Sequence, residues 1–393
     1  MFFIFSFIKR IPLYIMIYLD NCSTTNKKPY SVIKAFTKGI KKYSVNPGRG
    51  SYNLSLQAGL KVLELRDIAS SYFNNDKLEN VIITKNCTES LNLILRGSIK
   101  ENGHIIVSAF EHNSVFRTLT YLQRKYHISY SIIYPKSKNG IIELSEITSH
   151  IKPNTYLIFI NHTSNVFGAT QNLKMIGDYC KKHNILFGVD SAQSAGHEKI
   201  DMRLFNMNYL AVAGHKGLMG SQGIGLAIIN NANLKPLIMG GTGTNSESII
   251  QPNDSPEGFE SGTLNVPAIL SLIEGIKFVE KKQEKINNKI YSLTKFLVEN
   301  IKEIPNLEIY YSNFQSGVVS FRFTTRDTND VSSILDKDFS IAVRSGLHCA
   351  PICHKFLGTF NTGLVRVGIG YYNKKKDIKK LIQALWLIST NYY

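Results

Sequence analysis

The sequence predicts an α/β protein, with a mostly parallel seven-stranded sheet in a large domain and a smaller α+β domain after it. Three observations carry this. Short apolar runs alternate with amphipathic stretches as far as about residue 265, the pattern of a parallel sheet covered by helices on both faces. Beyond about residue 265 the texture changes to one long helical stretch followed by scattered strands. The length of 393 residues suits one large core plus a lobe better than a single core.

In chain order, the segment MFFIFSFIKRIPLYI comes first, apolar but interrupted by Lys9 and Arg10. It is too short to span a bilayer and lacks the basic-then-apolar order and small-residue cleavage site of a signal peptide. Residues 1–15 read as an extension ahead of a second start at Met16, with organellar targeting left open. Residues 16–29 form an N-terminal segment packing with the small domain, and 30–265 form the large domain. The candidate strands of the large domain are 81–84, 104–108, 131–134, 156–161, 185–190, 209–213 and 225–229. Between them, 89–96, 114–126 and 173–182 carry apolar residues at helical spacing. The small domain, 266–393, opens on a helix over 267–301 and continues through strands at 317–323, 341–344 and 364–369 to a final helix. The crossing between domains falls near 265–275, inside a continuous helix.

Hydrophobic residues at 43% and charged residues at 19% exclude a disordered chain. The net charge of +17 raises nucleic acid as a partner, but the lysines lie in short clusters such as Lys27-Lys28, Lys281-Lys282 and Lys374-Lys375-Lys376. Without an arginine-rich stripe and interleaved aromatics, neither nucleic acid nor membrane is predicted. Five cysteines, an odd number in so long a chain, make no disulfide framework; they point to a reducing compartment, here the cytoplasm, with any reactive cysteine free.

In an open α/β sheet, ligands sit beyond the carboxyl ends of the strands, so the polar residues there come next. Asn86-Cys87-Thr88-Glu89 stands between a strand and a helix, where main-chain amides and the Thr88 hydroxyl suit a phosphate. Glu111-His112 follows the next strand, and His112 can stack on a flat heteroaromatic ring. Asn165, in Asn161-His162-Thr163-Ser164-Asn165, can donate to a ring hydroxyl or a substrate carboxylate. Taken singly, these are equally a helix cap, a core histidine and a polar turn. Asp190 ends a buried strand, where a carboxylate needs a partner; a pyridinium nitrogen is one, and Gln193 lies near the same ring edge. Lys216, in Ala213-Gly214-His215-Lys216-Gly217, follows the next strand. Desolvation there frees its amine for imine formation. One lysine among many means little, but a phosphate cradle, a ring stack, a pyridinium partner and an imine lysine on successive strand ends together describe a pyridoxal-phosphate site.

With these residues in place, the chain resembles the class V aminotransferase-fold family of pyridoxal-phosphate enzymes, in its cysteine desulfurase and selenocysteine lyase branch. The resemblance runs from Tyr18 to about Asn373. Its markers are YLDNCSTT, NPGRG, NCTESLN, EHNS, NHTSNVFG, VDSAQSAGH, AGHKG, FESGTLN, RSGLHCAP and VRVGIGYYN. It implies the PLP-dependent transferase fold type I, with pyridoxal 5'-phosphate held as a Schiff base on Lys216. It further implies Asp190 on the pyridine nitrogen, His112 on the ring face, and Gln193 and Asn165 near the 3-hydroxyl. On the same resemblance, Cys87, Thr88 and His215 are expected to hold the phosphate, and Thr263 to reach the phosphate of the other subunit of a homodimer. Arg366 grips the substrate carboxylate, a bidentate contact suited to guanidinium. Ala213 stands where many relatives carry a hydroxyl that bonds the phosphate, so one contact is expected to be missing. Tyr52 stands where a histidine is common.

Cys349, in RSGLHCAP, is the expected nucleophile: a thiolate that attacks the sulfur of cofactor-bound cysteine, leaving a persulfide on the enzyme and alanine as product. A nearby cation, Arg344 or His348, would favour that thiolate. His348, Cys349, Cys353 and His354 crowd too closely for a standard tetrahedral metal site, so no metal is assigned. The leading expectation is therefore a cysteine desulfurase that converts L-cysteine to L-alanine and passes sulfur to a protein acceptor or iron–sulfur scaffold. The short loop around Cys349 resembles the branch that needs an activating partner. Selenocysteine lyase, another C–S lyase or aminotransferase, and a non-catalytic basic scaffold are the alternatives.

Overall fold

The computed structural model describes residues 16–230, 233–244 and 246–390; the extension 1–15 lies outside the described residues. The chain enters through a short strand, β1 (Ile17–Tyr18), and two helices, α1 (Tyr30–Lys42) and α2 (Asn53–Tyr72). Alternation then begins with β2 (Val81–Thr84), α3 (Cys87–Gly97), β3 (His104–Ser108), α4 (Asn113–Tyr126) and β4 (Ser129–Ile133). It continues with α5 (Leu144–Thr148), β5 (Thr155–Asn161), α6 (Leu173–Lys182), β6 (Leu186–Asp190), β7 (Tyr209–Ala213) and β8 (Gly225–Ile229). The remaining elements are α7 (Val266–Ile301), β9 (Leu307–Tyr310), β10 (Val318–Phe323), α8 (Thr328–Lys337), β11 (Ile341–Ala342), β12 (Arg344–Gly346), α9 (Pro351–Phe356), β13 (Leu364–Gly368) and α10 (Lys375–Ser389).

Strands β2 to β8 form one seven-stranded sheet in the order β2-β8-β7-β6-β5-β3-β4. Every pairing is parallel except those of β8, which runs against both β2 and β7. The apolar runs are continuous because both faces are covered. Side chains alternate between the faces: Ile106, Ile158, Ile160, Leu210 and Val212 pack into one core, while Ile105, Val107, Leu157, Phe159, Tyr209 and Ala211 pack into the other. The parallel directions bring the carboxyl ends Ser108, Asn161, Asp190 and Ala213 to one edge of the sheet.

The C-terminal lobe is a four-stranded antiparallel sheet, β12-β13-β10-β9. Its core joins Val319, Phe321, Val365 and Val367 to Leu381 and Leu385 of α10. Strand β1 pairs in parallel with β11, Ile17 opposite Ile341, and Ile17 and Leu19 are buried in this same core. Helix α7 serves both cores: Ile269, Leu272 and Ile276 pack against the large sheet, Leu293, Leu297 and Ile301 against the small one. The single strand expected over 341–344 is two, because β11 pairs with β1 whereas β12 pairs with β13. Among the described residues, no helix is long and apolar enough to cross a membrane.

Candidate active site

The strand ends open onto a cavity of about 200 Å³ between the two lobes. Cys87, Thr88, His112, Asn165, Asp190, Gln193, His215, Lys216, Arg344 and Arg366 all line it, so a set dispersed through most of the chain converges on one space. Two expected residues lie outside it. Thr263 is exposed and away from this chain's cavity. Cys349 faces an adjoining groove of about 610 Å³ that shares Thr88 and His112 with the cavity.

At one end of the cavity stands the N-terminus of α3. Asn86 caps it, its Oδ1 accepting the Glu89 amide at 2.9 Å. The earlier first-turn amides, those of Cys87 and Thr88, have no partner within the helix by its geometry, and they favour an anion. The Cys87 thiol itself turns to Asp190, 3.6 Å from Oδ1, and burial pushes its pKa well up. Cys87 therefore offers the cradle its main-chain amide. His215 is fixed by Thr24, Nδ1 to Oγ1 2.9 Å, and burial and the neighbouring lysines push it down to about 4. Ala213 lines the same wall and offers no hydroxyl.

Asp190 is 1% exposed. Its Oδ1 takes the Ala192 amide at 2.8 Å and the Cys87 thiol, while among the described residues Oδ2 makes no bond. A buried carboxylate with one oxygen unspent, facing a cavity, fits a pyridinium N–H. His112 caps α4: its Nδ1 accepts the Ser114 amide at 3.1 Å, which leaves the ring proton on Nε2. Burial lowers its pKa, so the ring is a neutral plane suited to stacking. Gln193 donates to the Cys22 carbonyl at 2.8 Å. Asn165 donates to the His348 carbonyl at 2.8 Å and leaves its buried Oδ1 unpaired. Unpaired buried oxygens on Asn161 and Asn165 are what a polar ligand would satisfy.

Lys216 follows β7 between Gly214 and Gly217. A Cβ on Gly217 would lie 2.2 Å from the Ala195 carbonyl, so the turn that presents the lysine requires glycine there. Burial lowers the Lys216 pKa, opposed by Cys87 and Asp190 and aided by Arg366. That balance makes the free amine accessible at a lower pH than for an exposed lysine.

On the small-lobe side, Arg344 and Arg366 face one another across β12 and β13. Arg344 Nη2 lies 3.3 Å from Cys349 Sγ. His348 brings no positive charge to that sulfur, because burial pushes its pKa down to about 2. Its Nε2 meets the Arg344 carbonyl at 3.1 Å and its Nδ1 meets His354 at 3.3 Å. The cation beside Cys349 is thus Arg344 alone of the two expected. Cys353 is buried, 3.8 Å from Ser164 Oγ, with its thiol pushed up to about 12 by burial. Among the described residues, no group of three His, Cys, Asp or Glu side chains is gathered to hold a metal.

Sequence alone does not single out every residue of the site. Asp20, Ser23 and Thr24 sit inside the YLDNCSTT string, which signals family rather than position. Glu111 precedes His112 and is fully buried; its Oε1 accepts from Ser108 Oγ at 2.6 Å and the Asn161 amide at 2.7 Å.

The sequence profile of the aminotransferase class-V family matches residues 17–381. A protein of Methanothermobacter thermautotrophicus named a probable cysteine desulfurase is 32% identical, covering 94% of each chain. One of the same name from Pyrococcus abyssi is 33% identical over 96% of this chain and 95% of its own. The apo structure of a cysteine desulfurase from Thermococcus onnurineus superposes with a TM-score of 0.89 at 31% identity, covering 96% of this chain and 95% of that one. A class-V profile across nearly the whole chain, on a site whose unspent carboxylate and helix N-terminus suit a pyridine ring and a phosphate, places this chain in the class-V aminotransferase family, in its cysteine desulfurase branch, with pyridoxal 5'-phosphate as cofactor.

Proposed function

We propose that this chain takes the sulfur of L-cysteine onto Cys349 and releases L-alanine, the activity of a cysteine desulfurase. The observation that carries it is the placement of Cys349 at the border of the Lys216 cavity, 3.3 Å from the Arg344 guanidinium. When bound, pyridoxal phosphate supplies an electron sink that makes the bonds around the substrate α-carbon labile. Lys216 holds the cofactor and, through Nζ, moves protons at the substrate carbons. Asp190 keeps the pyridine nitrogen protonated, His112 covers the ring, and Asn165 and Gln193 border its oxygen edge. Cys87, Thr88 and His215 receive the phosphate, and Arg366 orients the substrate carboxylate. The Cys349 sulfur then bonds the substrate sulfur as the carbon–sulfur bond breaks. That electron pair stays with carbon, which takes up a proton, so no external oxidant or reductant is consumed.

The division of labour follows α7. Residues 30–265 hold the cofactor, 266–393 supply Arg366, Arg344 and Cys349, and 16–29 place Asp20 and Ser23 beside the two arginines. A homodimer supports the same reading: exposed Thr263 is free to serve the cavity of a second copy, and exposed Leu56, Leu60 and Leu63 form an apolar stripe along α2. The groove beside Cys349, lined also by Arg96, Arg117 and Tyr121, suits a protein sulfur acceptor or iron–sulfur scaffold. All five cysteines are free, which supports a reducing compartment such as the cytoplasm.

The test is cysteine-dependent sulfide release, with a thiol reductant, by wild type, Lys216→Ala and Cys349→Ala. Wild type is expected to release sulfide and both variants to fall to background, with cofactor absorbance retained only in Cys349→Ala. Undiminished release by Cys349→Ala would refute the persulfide route.

A further inference from the structure

Arg344 and Arg366 are direct partners in the β12–β13 ladder, so both side chains leave the sheet on one face, where like charges repel. Arg366 is 1% exposed, and buried charges are little screened by salt. The offsetting groups come from the N-terminal segment. Asp20 Oδ1 accepts from Arg366 Nη2 at 2.8 Å. Ser23 Oγ accepts from the same Nη2 at 2.9 Å and from Arg344 Nη1 at 3.3 Å, while it donates to Asp20 Oδ1 at 2.9 Å. Arg366 Nη1 donates to the Asn165 carbonyl at 3.1 Å, and Nε has no partner.

A guanidinium presents two forks to a carboxylate, Nε with Nη2 and Nη1 with Nη2. Nη2 belongs to both, and its two hydrogens are taken by Asp20 and Ser23. A second carboxylate cannot be gripped bidentately until one of them lets go. The Arg366 side chain is 1% exposed and that of Asp20 19%, so Asp20 is the group with solvent to move into.

We propose that Asp20 is an internal carboxylate standing in the place of the substrate carboxylate on Arg366, bracketed there by Ser23, and that its displacement sets the affinity for substrate. Asp20 is then a specificity-setting residue: it offsets the Arg366 charge in the empty enzyme and gives way to a ligand's own carboxylate. This rests on the reading of Arg366 as the carboxylate grip.

The experiment compares two halves of the substrate on the cofactor-loaded enzyme by calorimetry: 3-mercaptopropionate, which is cysteine without its amine, and cysteamine, which is cysteine without its carboxylate. Asp20→Asn is expected to tighten 3-mercaptopropionate at least about threefold, the scale of one ion pair, and to leave cysteamine unmoved. Its steady-state change falls on the KM for L-cysteine more than on kcat. Ser23→Ala frees one Nη2 hydrogen at constant charge and is expected to act in the same direction more weakly, and it carries the test alone should Asp20→Asn fail to fold. Unchanged or weaker binding of 3-mercaptopropionate in the folded variants overturns the proposal. Arg366→Lys separates the two readings. If it binds 3-mercaptopropionate as wild type does, the role of Arg366 fails. If it loses binding while neither Asp20→Asn nor Ser23→Ala gains any, only the role of Asp20 fails.

Discussion

Cys349 sits on a backbone that its neighbours must hold. His348 and Cys349 both adopt left-handed φ, 50° and 57°, a conformation that costs non-glycine residues about 1 kcal/mol or more each. The Asn113 amide donates to the Cys349 carbonyl at 2.7 Å, Asn165 to the His348 carbonyl at 2.8 Å, and Arg344 to the sulfur. Each restraint comes from a different element, so the loop is set by the meeting of the lobes. Arg344→Gln is expected to slow alkylation of Cys349 by iodoacetamide by about tenfold, the loss of one charged contact to the sulfur. Sulfide release falls with it, and cofactor absorbance does not. An unchanged alkylation rate would show that Arg344 does not activate the thiol. Arg344 was legible from its motif. The neutrality of His348 was not, because residues far off in sequence enclose it as well: the Arg366 charge adds to the effect of burial and Asn165 bonds its carbonyl.

The junctions between strand and helix carry most of the chemistry, and the β3–α4 junction carries a proton as well. Burial, helped by Asp190 and opposed by hydrogen bonds from Ser108 and Asn161, pushes Glu111 up to about 8. Between about 4.5, its ordinary value, and about 8 the folded protein therefore keeps a proton that the unfolded chain releases. Stability from this group is full below that window and is lost as pH rises through it. Glu111→Gln keeps the Oε1 acceptor without titrating, so its melting temperature relative to wild type is expected to climb from pH 5 to pH 8. A difference that stays flat across that range would show Glu111 ionised throughout. The strands flanking these junctions were readable almost to the residue, since β2, β3, β7 and β8 are bounded apolar runs. Helices α1 and α2 were not: α2 exposes Leu56, Leu60 and Leu63, so its apolar residues do not mark a single buried face.

At the scale of the molecule, buried histidines set the acid limit. Burial holds His104, His197, His215 and His354 down to about 4, His162 to about 3 and His348 to about 2. Below the ordinary 6.5 the unfolded chain binds protons that the native fold refuses, so stability falls as pH falls. These groups outnumber the carboxyls Glu111, Glu198 and Glu260, whose raised pKa acts in the opposite sense. The melting temperature of the cofactor-loaded protein is expected to drop steeply from pH 6.5 to pH 4.5; a constant value would mean these rings accept protons in place. Convergence of the strand-end residues followed from the parallel sheet alone. What the sequence left hidden was the Asp20–Arg366 contact, because the two residues stand 346 positions apart and no local pattern encodes their meeting.

Peptide mass spectrometry of cofactor-loaded protein mixed with L-cysteine and quenched before any reductant is added tests the central claim most directly. A persulfide on Cys349 requires one extra sulfur atom on the peptide that carries it, with alanine formed in equal amount, and neither product in Lys216→Ala. Alanine formed by wild type while the Cys349 peptide keeps its original mass would contradict it.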